Sequence, residues 1–92
     1  DLVVTLSRDG DAAAINELLR QASQGPWQGV LTTSAAPHAS IDFNHDPHSA
    51  IVDTSQTRAA GPRLINLFIW FDNEWGFANR MLDVARCWQR RW

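Results

Sequence analysis

Leu64-Ile65-Asn66-Leu67-Phe68-Ile69-Trp70-Phe71 runs directly into Asp72-Asn73-Glu74-Trp75-Gly76-Phe77-Ala78-Asn79-Arg80-Met81-Leu82-Asp83, and this junction decides how the chain folds. Seven of the first eight residues are apolar, the pattern of a strand covered on both faces. The polar turn then offers Asp72 or Asn73 as the cap of a helix that begins around Glu74 or Trp75. Beyond it Phe77, Met81, Val84, Ala85, Trp88 and Trp92 recur at near-helical spacing, while Asn79, Arg80, Asp83, Arg86 and Arg90 fill the other side. The expectation is a central strand feeding an amphipathic helix that packs on the sheet, with Trp70 and Trp88 in the core.

Upstream, Leu2 to Ser7 is rich in β-branched and aliphatic residues and ends in the turn cluster Arg8-Asp9-Gly10-Asp11. Asp9 or Asp11 can cap the helix that follows. In it Ile15, Leu18, Leu19 and Ala22 fall at i, i+3, i+4 and i+7, and Asn16, Glu17, Arg20 and Gln21 lie opposite. Gln24-Gly25-Pro26 stops it. Gly29 to Thr33, Ala39 to Phe43 and Ser49 to Asp53 read as short strands, with a loop at Ser34 to His38 and another over Ser55 to Pro62. The order β-α-β-β-β-α predicts an α+β fold, a largely antiparallel sheet with two helices on one face.

At 92 residues the chain is one domain at most, and a chain of this size buries only about 60–65% of its unfolded surface. Eight arginines, no lysine and ten acids give a net charge of −2, so no attraction to nucleic acid or an anionic membrane surface follows. The single cysteine, Cys87, cannot form an intrachain disulfide, which favours a reducing compartment such as the cytoplasm. Leu64 to Phe71 is too short to span a bilayer. Asp1 to Leu6 reads as a strand already under way, as in a chain cut from something longer.

Several residues have the chemistry of a site. Asn73, in the turn between strand and helix, either caps the helix or presents a carboxamide that can donate to and accept from another amide. Asp42, His45, Asp46 and His48 lie within seven residues and include metal-binding types, yet Pro47 interrupts them and no i, i+4 helical pair is formed, so a polar loop is the better reading. Cys87, deep in the last helix, has no helix N-terminus or neighbouring histidine to lower its pKa and reads as a packing residue. No Gly-x-Gly-x-x-Gly fingerprint is present, and Arg58, Arg63 and Arg80 read as exposed or ion-paired rather than as phosphate ligands.

Two stretches, Asp42-Phe43-Asn44-His45-Asp46-Pro47-His48-Ser49-Ala50-Ile51-Val52-Asp53 and Trp70 to Asp83, together resemble the C-terminal end of the glyceraldehyde-3-phosphate dehydrogenase family. The resemblance implies that residues 1–92 are the C-terminal part of a catalytic domain whose NAD-binding domain lies outside this chain. It implies NAD as cofactor, a sugar phosphate as substrate, no metal, and a homotetramer in the full-length protein. Asn73 matches the asparagine that holds the nicotinamide carboxamide, and Phe77 matches an aromatic residue beside the nicotinamide ring, usually tyrosine. The family nucleophile sits in a Ser-Cys-Thr-Thr-Asn type motif that this sequence lacks, so no catalytic residue is assigned and the chain alone should be inactive. Asn44 to Asp53 and Phe77 look more like the branch that acts on D-erythrose 4-phosphate than the branch that acts on glyceraldehyde 3-phosphate. A non-catalytic interaction module, or a remnant domain, is the alternative of another class.

Overall fold

The computed structural model describes residues 1–37 and 40–91. Its elements are β1 (Leu2–Thr5), α1 (Ala12–Gln24), β2 (Leu31–Ser34), a 3-10 turn at Ser40–Phe43, β3 (Ala50–Asp53), a second 3-10 turn at Thr54–Gln56, β4 (Arg58–Ala60), β5 (Leu64–Leu67), β6 (Ile69–Trp70) and α2 (Asn73–Arg90). The class is α+β with two helices and mostly antiparallel pairing, as the sequence predicts. Within that class the strands divide into two three-stranded sheets, β1-β5-β4 and β2-β3-β6. One pairing is parallel, β2 with β3 in the register Leu31 to Ala50 through Ser34 to Asp53.

The division happens inside the apolar run. Leu64–Leu67 is the centre strand of the first sheet, and Ile69–Trp70 is an edge strand of the second. Phe68 is the point of change, and its carbonyl accepts from the Asp53 amide at 2.8 Å. A strand covered on both faces is therefore the right reading for Ile65, which is fully buried, and the wrong one for a single strand of eight residues. Val52 from the second sheet meets Ile65 and Leu67 from the first, and Val4, Leu6, Ile15, Leu19, Leu31 and Ile69 close around them. The core lies where the two sheets meet.

Helix α1 starts where expected. The Asp11 side chain accepts from the Ala14 amide at 2.7 Å, satisfying one of the free donors of the first turn, and the helix ends at Gly25. It lies along β2 with Ile15, Leu19 and Ala22 partly buried, whereas Leu18 faces out. Two other expectations change, and a third falls on residues not described. Ile41–Phe43 belong to a 3-10 turn rather than a strand, the stretch read as a loop contains β4, and Ala39 and His38 lie outside the described residues.

The last helix forms as predicted, but its apolar side is left largely open. Gly76 is its buried residue, and every residue from Met81 to Arg90 is exposed. Trp88, expected in the core, is 65% exposed. Cys87 is exposed too rather than a packing residue, Trp70 is partly buried, and Trp92 lies outside the described residues. A projecting α2 fits the extents of 47 × 31 × 19 Å and a radius of gyration of 14.8 Å, against about 12 Å for a compact chain of this length.

Ile65 and Leu82 should therefore answer differently to truncation. Ile65→Ala removes a fully enclosed side chain and is expected to cost about 2–5 kcal/mol; Leu82→Ala, on the open part of α2, should stay within about 0.5 kcal/mol. Urea midpoints of the two variants check this, and equal midpoints would place the core elsewhere.

Candidate functional site

The site forms where β6 runs into α2. Asp72 is the N-cap: its Oδ1 accepts from the Trp75 amide at 3.0 Å. This settles which side chain performs the capping. Asn73 occupies the first position of the helix, is exposed, and has no hydrogen bond through its side chain among the described residues. Its carboxamide keeps both its donors and its acceptor for something outside.

The second Asp72 oxygen does a different job. Oδ2 accepts from the His45 backbone amide at 2.9 Å, joining the turn to a loop 27 residues earlier. His45 has φ 63, a left-handed conformation uncommon for a residue with a side chain, and its ring lies against Trp75 with centroids 5.0 Å apart. Further along, a Cβ on Gly76 would come within 3.3 Å of the His48 carbonyl oxygen, so the absence of a side chain lets helix and loop approach. Arg80 completes the attachment. Its Nη1 donates to the Gly29 carbonyl at 3.3 Å and the Ser49 hydroxyl at 3.2 Å, and its Nε faces Asp83 at 3.0 Å.

Below this junction Phe43 is buried and stacks on Trp70 at 5.3 Å, and Phe68 meets Trp70 edge-on at 5.0 Å. Aromatic contacts of this kind add to area burial and give the turn a firm base. Two open depressions adjoin it. One of about 440 Å³ is lined by Ile41, Phe43, Asn44 and Phe71 to Glu74. The other, of about 270 Å³, runs past Ser49, Gly76, Phe77 and Arg80. Phe71, Asp72 and Asn73 line both. Phe77, one helical turn beyond Asn73 and so on the same side, is 68% exposed. The structure thus brings the two sequence-predicted cofactor residues together on one surface.

The remaining candidates go elsewhere. His48 Nδ1 pairs with Asp46 Oδ1 at 2.7 Å, His45 packs on Trp75, and no group of three potential metal ligands occurs among the described residues. Arg63 pairs with Asp9 at 2.9 Å. No helix among the described residues is long and apolar enough to cross a membrane. What the sequence did not reveal is the double engagement of Asp72, because its second partner is a backbone amide far away in the chain and no side-chain type marks it.

The fold and this junction together define an α+β domain with a strand that runs straight into a capped helix. A family model described as glyceraldehyde 3-phosphate dehydrogenase, C-terminal domain, matches residues 1–73, and the chain belongs to that family. The match ends on Asn73 itself, with Phe77 just beyond it.

The backbone amides of His45, first, and of Trp75 hold the Asp72 carboxyl below its ordinary range. A carboxyl whose pKa is lower in the folded state than in the unfolded one binds fewer protons when folded, so its stabilisation is present above the ordinary carboxylate range and is lost as the pH falls through the lowered value. Glu17, held by Arg20 and pushed down to about 2, acts in the same direction. Asp72→Asn should therefore flatten, but not abolish, the loss of stability on acidification between about pH 5 and pH 2. Urea midpoints across that range test this; identical slopes for the variant and the parent would contradict it.

Proposed function

We propose that this chain is the C-terminal part of the catalytic domain of an NAD-dependent aldose-phosphate dehydrogenase that oxidises D-erythrose 4-phosphate to 4-phosphoerythronate, on the route to pyridoxal phosphate. The observation that carries the reading is the state of Asn73: Asp72 caps the helix, and the Asn73 carboxamide has no partner among the described residues and lies at the edge of two depressions. A planar amide is the natural complement of such a group. The exposed Phe77 ring offers an apolar face one turn away, so these residues fit the nicotinamide end of NAD. NAD, when bound, supplies the hydride acceptor.

Within this proposal Asn73 orients the nicotinamide by its carboxamide, and Phe77 flanks the ring. Phenylalanine keeps the ring of the tyrosine usual at this position in the family and lacks its hydroxyl, so Phe77 contributes packing and no hydrogen bond. The cysteine that attacks the aldehyde, and the histidine that assists proton removal, come from other parts of the catalytic domain. Cys87, exposed near the end of α2, is not that nucleophile. The open stripe of Met81, Val84 and Trp88 suits a helix covered by the remainder of its subunit in a cytoplasmic homotetramer. An uncovered apolar stripe of this size is unusual for a free-standing module, which favours the dehydrogenase reading over an independent interaction domain.

The choice of substrate rests on Asn44 to Asp53 and on Phe77. It is tested with the full-length dehydrogenase by following NADH at 340 nm with erythrose 4-phosphate and with glyceraldehyde 3-phosphate, each with and without inorganic phosphate. Preference for the four-carbon sugar without a need for phosphate is the expected result; phosphate-dependent turnover of the three-carbon one would assign the chain to the phosphorylating branch. Asn73→Ala is expected to raise the KM for NAD about tenfold or more, and an unchanged KM would remove Asn73 from the site.

A further inference from the structure

We infer that Asp72 is the positioning residue of the nicotinamide side, acting through Asn73 by fixing the helix start against the loop that walls the same depression; this rests on the nicotinamide reading of Asn73. Each Asp72 oxygen has its own backbone partner. Oδ1 fixes the first turn of α2 through the Trp75 amide at 3.0 Å, and Oδ2 fixes the loop through the His45 amide at 2.9 Å. Asn73 is the next residue in the chain, so the carboxylate that joins helix to loop also sets where the Asn73 backbone begins. The residues immediately before His45, Phe43 and Asn44, line the same depression as Asn73.

Capping alone does not require this residue. Serine or threonine caps a helix well, but a single hydroxyl oxygen on a shorter side chain does not reach both amides. The second oxygen is spent on His45, a residue in a left-handed conformation that an unconstrained loop would tend to leave. Without that acceptor the loop relaxes at His45, and the helix start that carries Asn73 is no longer fixed against it. The Gly76 approach to His48 and the Arg80 contact with Ser49 lie farther along the helix and hold the far end of the loop. Asp72 is thus the tie nearest the unpaired carboxamide, and its effect on binding comes from geometry and not from touching the cofactor.

Asp72→Ser separates the two jobs, keeping a cap and removing the tie. In the full-length dehydrogenase it is expected to raise the KM for NAD about tenfold while kcat falls less than about threefold. In an Asn73→Ala background the same change should add less than about twofold, because a residue that acts through Asn73 has nothing left to position. If Asn73→Ala raises the KM and Asp72→Ser does not, or if the two effects multiply in full, the positioning role is wrong and the nicotinamide reading stands. If Asn73→Ala leaves the KM unchanged, the nicotinamide reading falls and this inference with it. Amide exchange in the full-length dehydrogenase without NAD tests the geometry apart from activity: Asp72→Ser should speed exchange at His45 and spare Trp75. Equal protection of His45 in variant and parent would overturn the tie.

Discussion

One continuous segment, Leu64 to Trp70, serves both sheets, and the rest of the structure depends on it. Its first half takes the centre of β1-β5-β4 and its second half pairs with β3. Because the backbone is unbroken, the two sheets cannot move apart without unpairing one end of the segment. Ile65 and Leu67 pack with Val52 at the seam, so the apolar burial that stabilises the fold also fixes the angle at which the chain leaves β6. That exit is the turn at Asp72.

The candidate site inherits its geometry from this exit. Phe43 and Trp70 form a stacked pair beneath the turn, and Asp72 links the turn to the loop above them. Several polar groups of the junction have tasks within the chain: Asp72 caps and ties, Arg80 holds Gly29 and Ser49, and Asp46 holds His48, whereas the Asn73 carboxamide has no partner among the described residues. An exposed carboxamide left over from such a set is the feature that links structure to the proposed binding of an amide-bearing cofactor. The arrangement is small, and rests on a few hydrogen bonds whose partners are mostly backbone atoms.

Local patterns in the sequence carried much of this. The helix α1 with its Asp11 cap, the strands at Leu2 and Ala50, and the start of α2 all follow from periodicity and capping chemistry confined to neighbouring residues. What the sequence concealed was of longer range. A run such as Leu64 to Phe71 does not show that its partners change at Phe68, since burial on both faces has the same composition in one sheet as in two. The three residues of β4, all exposed, have no apolar alternation to mark them. The apolar periodicity of α2 marks a stripe and does not say what covers it, and in the structure that stripe, Trp88 included, is exposed. At the candidate site, the sequence placed Asn73 and Phe77 one helical turn apart, whereas the second contact of Asp72 needed the position of His45.

The central claim is that Asn73 meets a nicotinamide. A crystal structure of the protein with NAD tests it most directly. The account predicts the Asn73 side-chain amide within about 2.7–3.2 Å of the nicotinamide carboxamide, with the Asp72 carboxylate still bridging His45 and Trp75. A nicotinamide bound with no contact to Asn73, or an Asn73 side chain turned back to cap α2 in place of Asp72, would contradict it.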